Sequence, residues 1–286
     1  MDCLVNVLGR VEMDSLLFAV PYVCKSWYKV SLDPVCWKRL VFPHFEQMVM
    51  KRFMEVYQSI GPFSVTSFIN SIVRRSNRLA TALVLPDYCT KEALEYAADE
   101  ELGSHPLMYV WTPWKERNRR SFEDAERCPA LKVLELPNDL LKRESAIIPE
   151  LISKWRNLEQ LRLERPSNLE EILHQISCHC KNFFGLSVID SEVWENEVSA
   201  IVSLPNIKYL ILRGTFIERK SLVMILQGCN KLELLDIRDC IGFEGDDELL
   251  NLASHINAFK LGGSKLSIWH DEYYCSYDSD CGYDYY

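Results

Sequence analysis

The feature that most constrains this chain is a short apolar phrase that returns at a nearly fixed interval between Cys128 and Leu261. Leu131, Leu134 and Leu136 stand at the spacing L-x-x-L-x-L, and so do Leu158, Leu161 and Leu163. Phe183, Leu186 and Val188 follow, then Ile207, Leu210 and Leu212, then Leu232, Leu235 and Ile237, then Ile256, Phe259 and Leu261. The middle members are separated by 27, 25, 24, 25 and 24 residues. One such phrase would carry little weight. Six in register describe units too small to bury their own apolar faces, so each must stack on the next, and the product is a solenoid. The fold class is α/β, with a curved parallel sheet inside and helices outside.

An interval of 20 to 29 residues belongs to leucine-rich repeats. Eight residues after the first apolar position this repeat places a small polar group, expected to satisfy backbone amides in the turn. Asp139, Ser191, Thr215 and Cys240 occupy that offset. Pro166 occupies it in one unit and can donate nothing, so that unit is expected to turn differently. Cys128, Cys180 and Cys229 each stand three residues before the first apolar position. They resemble the cysteines of cysteine-containing leucine-rich repeats, where a buried thiol ends the helix and packs against the next strand.

Charge and cysteine usage narrow the function classes. A formal charge of -9 argues against a general nucleic-acid binder, since phosphate contact needs clustered Lys and Arg. Asp271, Glu272, Asp278, Asp280 and Asp284 all lie in the last twenty residues, so the rest of the chain is only mildly acidic. The 11 cysteines are accompanied by no export signal, and they are expected to be free thiols in a reducing compartment. The longest apolar stretch, Ser15 to Cys24, is interrupted by Pro21 and is too short to span a bilayer. The reading is a soluble protein of the cytoplasm and/or nucleus, with neither nucleic acid nor membrane as partner.

Residues 1–42 read as three short apolar helices. Leu4, Val7 and Leu8 share one face, Ser15, Leu16, Leu17 and Val20 follow a capping Asp14, and Val23, Cys24, Trp27 and Val30 recur at helical spacing until Asp33-Pro34. So small a segment with so much apolar surface needs a partner or the repeats. Val20-Pro21-Tyr22-Val23-Cys24-Lys25-Ser26-Trp27 followed by Leu32-Asp33-Pro34-Val35-Cys36-Trp37 resembles the second half of an F-box, whose motif ends in a V-C-K-x-W helix and a D-P-x-x-W turn. The family's opening Leu-Pro pair has no counterpart, because the chain starts at Met1-Asp2-Cys3-Leu4, already inside the first helix. Joined to leucine-rich repeats, the module resembles plant F-box/LRR proteins, the substrate receptors of Skp–cullin–F-box (SCF) ubiquitin ligases. The resemblance implies a Skp-type adaptor held by Leu4, Leu8, Leu16, Leu17, Pro21, Val23 and Cys24, with cullin and RING subunits reached through it. Trp27 and Trp37 are expected in the module's small core.

Residues 43–63 are expected to form a connecting helix and linker, closed by Gly61-Pro62. The repeat domain is placed at residues 64–266. Phe68, Ile69, Ile72 and Val73 predict a helix that caps the solenoid, and Ala82-Leu83-Val84-Leu85 predicts the first strand. From Leu83 to Leu134 is 51 residues; removing the 26 residues 101–126 leaves 25, the usual step. That stretch is either an insertion, expected to be disordered, or a degenerate repeat with Leu107, Val110 and Thr112 in the strand positions. Its charge-rich second half, anchored only by Trp114, Phe122 and Ala125, favours the insertion. Residues 267–286 form an acidic, Tyr-rich tail, expected to be disordered.

Catalytic chemistry has weak candidates. His174, Cys178, His179 and Cys180 could suggest a metal cluster, but Cys180 has a repeat role and no second ligand pair completes four positions. Gly242-Phe243-Glu244-Gly245 lacks the Lys of a phosphate loop. Neither an enzyme nor a cofactor is expected. A binding surface remains: if Leu134 and Leu136 point into the core, the alternating positions point out on the concave face. These include Gln160, Arg162, Tyr209, Ile211, Arg213, Leu234, Asp236 and Arg238, expected to bind a protein substrate. Glu164 and Asp236 could pair with the arginines instead. The alternative function is a leucine-rich-repeat scaffold or inhibitor without a ligase.

Overall fold

The computed structural model describes residues 2–43, 64–98 and 128–266. Its strands, in chain order, are β1 (Arg39–Val41), β2 (Ala82–Val84), β3 (Val133–Leu136), β4 (Gln160–Glu164), β5 (Gly185–Ile189), β6 (Glu192–Val193), β7 (Tyr209–Ile211), β8 (Phe216–Ile217), β9 (Leu234–Asp236) and β10 (Ala258–Lys260). Eight of them form one parallel sheet in the order β1-β2-β3-β4-β5-β7-β9-β10, and β6 pairs with β8 in a short second sheet. Parallel neighbours need a crossover, and each repeat supplies it with a helix.

The register of the sheet is the register of the sequence phrase. Leu134, Leu161, Leu186, Leu210, Leu235 and Phe259 stand side by side on successive strands. A one-residue slip would turn every one of these side chains to the wrong face. Sixteen of the eighteen phrase residues are buried; Phe259 and Leu261, at the last strand among the described residues, are half-buried.

In three units the polar residue eight places on donates to a backbone carbonyl: Thr215 Oγ1 gives to Leu212 O at 2.8 Å, Cys240 Sγ to Leu212 O at 2.7 Å and Ser264 Oγ to Ile237 O at 2.8 Å. The Cys240 sulfur also accepts from the Thr215 and Gly214 amides, as the repeat pattern leads one to expect. One detail differs from expectation: the Pro166 unit keeps the common turn. The residue before the offset is left-handed in five units, at Arg165, Asp190, Gly214, Asp239 and Gly263, with φ of 51°, 51°, 66°, 60° and 81°. Ile241 and Lys265 extend the β6–β8 sheet, but among the described residues the Pro166 unit contributes nothing to it.

The predicted capping helix is Val65–Arg75, which starts at Ser64, whose side chain accepts from Ser67 N at 3.2 Å, and buries Phe68, Ile69, Ile72 and Val73. The expectation that Ala82–Leu85 opens the sheet is corrected: β1 lies outside it, with Leu40 beside Leu83. Residues 39–41 therefore belong both to the N-terminal module and to the solenoid. The connecting helix expected in residues 44–57 lies outside the described residues.

β2 hydrogen-bonds directly to β3, Leu83 beside Leu134, with no strand between them and helix Lys91–Ala98 as the unit's outer layer. Leu107, Val110 and Thr112 lie outside the described residues. In the β4 and β7 units the helix ends immediately before a buried cysteine, at His179-Cys180 and Gly228-Cys229. Deleting residues 101–126 recreates that junction ahead of buried Cys128. The excised variant is expected to melt within a few degrees of the parent, since closing a long loop costs entropy that grows only slowly with length. Differential scanning calorimetry checks this. A fall of more than about 10 °C would make the stretch a stacked repeat.

The N-terminal module contains α1 (Asp2–Leu8), α2 (Met13–Phe18), α3 (Val20–Val23) and α4 (Lys25–Ser31), then a 3-10 turn over Pro34–Trp37. The single helix expected across Val23 to Val30 is broken at Cys24, whose backbone is extended (φ -165°, ψ 169°). Asp33 ends the helical run as expected; its carboxylate accepts from Val35 N at 2.9 Å and Pro34 supplies a fixed φ. Trp37 is 1 % exposed, donates from Nε1 to Ser31 O at 2.8 Å, and has the Arg75 guanidinium 4.9 Å from its ring centroid. Phe42 meets Phe68 edge-to-face at 5.8 Å. The module is thus welded to the capping helix by an aromatic core as well as by β1.

Candidate interaction surfaces

Two surfaces emerge from this frame. The first is the outer side of the N-terminal helices. Helix packing turns Met13, Leu16, Val20 and Val30 inward onto Leu8, and Leu4 and Leu17 lie half-buried against them. Leu8 and Leu16, expected to touch an adaptor, are 1 % and 2 % exposed, so they are core residues and make no surface. Pro21 is half-buried, while Val23 and Cys24 are exposed. The structure adds Val7 at 59 % and Tyr22 at 82 %, which helical spacing alone did not single out as exposed. Trp27 packs only partly into the core. Exposed apolar side chains on so small a module make it a candidate interaction surface.

The second surface is the concave face. Tyr209 (38 % exposed) stands beside Leu234 on the next strand, and Ile211 stands between Ser187 and Asp236. The Tyr209 ring meets Phe184 edge-to-face at 5.6 Å, and its hydroxyl donates to Glu233 at 3.3 Å, where Lys208 also pairs at 2.6 Å. All three arginines are already engaged. Arg162 meets Glu135 at 3.3 Å, Arg213 meets Asp239 at 3.5 Å, and Arg238 grips Asp236 with two bonds of 2.8 and 2.6 Å. Of the two carboxylates expected to compete for them, Asp236 does so; Glu164 does not, and Glu135 and Asp239 take that role. Asp236 is buried, and the hydrogen bond from Arg238 holds its carboxyl below the usual range despite the burial. Gln160 lies across the β5 backbone, where a Cβ on Gly185 would meet its Cγ at 2.9 Å. Exposed pairs of this kind contribute about 0–1 kcal/mol each. The apolar part of this face is formed by Tyr209, Ile211 and Leu234.

Comparison with known proteins gives this frame relatives. No protein-family profile matches the chain. An F-box/LRR-repeat protein of Arabidopsis thaliana is 26 % identical over 237 residues, 82 % of this chain and 69 % of the relative. The Arabidopsis F-box protein SKIP1 is 24 % identical over 254 residues, 88 % of this chain and 81 % of its own length. F-box/LRR-repeat protein 23 of the same plant is 24 % identical over 84 % of this chain, which spans 47 % of that protein. Over most of its length the chain is similar to plant F-box/LRR-repeat proteins. A solved internalin of Listeria monocytogenes, at TM-score 0.35 and 12 % identity over 70 % of this chain and 58 % of its own, adds nothing to that assignment.

The His and Cys residues of 174–180 are dispersed. His174 and Cys178 face each other at 3.8 Å on the exposed side of helix Leu169–His179, while Cys180 turns inward to Trp155 O at 3.5 Å. Among the described residues no three His, Cys, Asp or Glu side chains come together as metal ligands, and no helix is long and apolar enough to cross a membrane. Burial pushes the Cys180 and Cys229 thiols up to about 11, and Cys89 to about 12, so they stay protonated at neutral pH and serve as packing groups.

Proposed function

We propose that this chain is the substrate-recognition adaptor of an SCF-type ubiquitin ligase, acting in the cytoplasm and/or nucleus. In this reading the outer faces of α1 and α3 bind a Skp-type subunit, the concave face binds a protein substrate, and the transfer of ubiquitin falls to the other subunits. The observation that carries it is the exposed apolar set Val7, Tyr22 and Val23 on a helical module fused to a binding solenoid. The fusion has a mechanical consequence: with β1 in the common sheet and Trp37 under Arg75, a substrate is held at a fixed orientation to the adaptor. Copurification of the tagged full chain with Skp, cullin and RING subunits tests the reading.

A scaffold or inhibitor without ligase linkage is the second reading, and one observation favours it. Each concave-face arginine is satisfied within the chain, as on a face with no ligand to meet. Substrate capture separates the two. Replacing Tyr209 and Arg213 together by Ala is expected to weaken a captured substrate by about 2 kcal/mol or more, with Tyr209 carrying most of it. Skp binding and the melting temperature should hardly change. Undiminished capture in a quantitative pull-down would move the substrate site off the concave face.

A further inference from the structure

Trp194 is an exposed aromatic residue outside both surfaces. It sits between β6 and helix Glu195–Val202, is 47 % exposed, and packs on Phe216 of the next repeat at 5.0 Å with a 46° tilt. Two acids fix it there: Glu197 accepts from its backbone N at 3.0 Å and Glu192 from its indole Nε1 at 3.3 Å. Beside it opens a cleft of about 320 Å³, lined also by Glu195, Asn196, Glu218, Lys220 and Ser221. Ser221, only 1 % exposed, forms part of the cleft wall.

We propose that this cleft receives an arginine side chain from a partner protein, its guanidinium stacked on Trp194 and held by Glu195 and Glu218. The sign of the local field decides the class of ligand. Two helix N-termini, Glu195–Val202 and Arg219–Gly228, begin here and favour an anion, each with roughly half a positive charge. Lys220 adds one more positive charge. Glu192, Glu195, Glu197 and Glu218 oppose them, and the balance remains negative by roughly two charges. An indole face in a negative field suits a cation, and a planar guanidinium uses both the ring and a pair of carboxylates. Lys220 now occupies those carboxylates, at 3.0 Å from Glu218 and 3.6 Å from Glu195, but it is well exposed and can swing away at small cost. The site lies on the flank of the solenoid, in the β6–β8 ladder, and does not depend on the ligase reading.

The test uses the full chain with ¹⁵N-labelled indoles, the Trp194 resonance being assigned by loss in Trp194→Phe. Acetyl-Gly-Gly-Arg-Gly-Gly-amide should shift that resonance saturably, and the isosteric citrulline peptide should bind at least about fivefold more weakly. Glu218→Gln should weaken the arginine peptide, and Lys220→Ala, which removes the internal competitor, should tighten it. The proposal is overturned if the citrulline peptide binds equally, if an aspartate peptide shifts Trp194, if Lys220→Ala weakens binding, or if no saturable shift occurs.

Discussion

Trp37→Ala is expected to lower the stability of the folded chain by about 3–5 kcal/mol, the range for truncating a large buried aromatic residue. Three losses coincide at this site. The ring is fully buried, its indole N–H satisfies Ser31 O, and its face receives Arg75 from the helix that caps the solenoid. Trp37→Phe keeps the face and most of the volume but loses the donor, so about 1–3 kcal/mol of the cost should remain. Because Trp37 lies two residues before β1, the damage should spread into the sheet, and urea unfolding should shift as a whole without shedding the helical module first. A loss below about 1 kcal/mol would mean that the module is not held through this residue.

The second large effect concerns the outer face of α3. Tyr22→Asp with Val23→Asp should reduce adaptor affinity more than a hundredfold, since a carboxylate desolvated against an apolar partner costs several kcal/mol. Both side chains are more than half exposed, so the melting temperature should stay near that of the parent. The matching substitution Leu16→Asp would also abolish binding, but by unfolding the module, because Leu16 is buried. Circular dichroism of each variant separates the two causes.

The contrast between Leu16 and Tyr22 shows how far sequence reading carries. In the solenoid the period fixes the geometry: once Leu134 is assigned inward, Leu161, Leu186, Leu210 and Leu235 follow, and the sheet pairs them as the phrase implies. The N-terminal helices offer no such period. Each has seven residues or fewer, too few turns for a pattern to separate its inner from its outer face, and Leu8 and Leu16 pack inward where the motif resemblance points them outward. β1 was hidden for a similar reason: Arg39-Leu40-Val41 is only three residues long and follows a helical turn directly. The concave arginines could be located by alternation, but their partners could not. Arg162 chooses Glu135 on the neighbouring strand over Glu164 on its own, a choice of rotamer and cross-strand distance. Trp194 carried no repeat signal at all, since the equivalent position of the next unit is Glu218, which begins that unit's helix.

The central claim, that the exposed face of the N-terminal helices binds a Skp-type subunit while the solenoid remains free, is tested most directly by size-exclusion chromatography with light scattering. The full chain is coexpressed with a Skp subunit and compared with the Tyr22→Asp, Val23→Asp variant. A single 1:1 complex is expected for the parent, and two separate folded species for the variant. Separate species for the parent, with both proteins folded, would contradict the account.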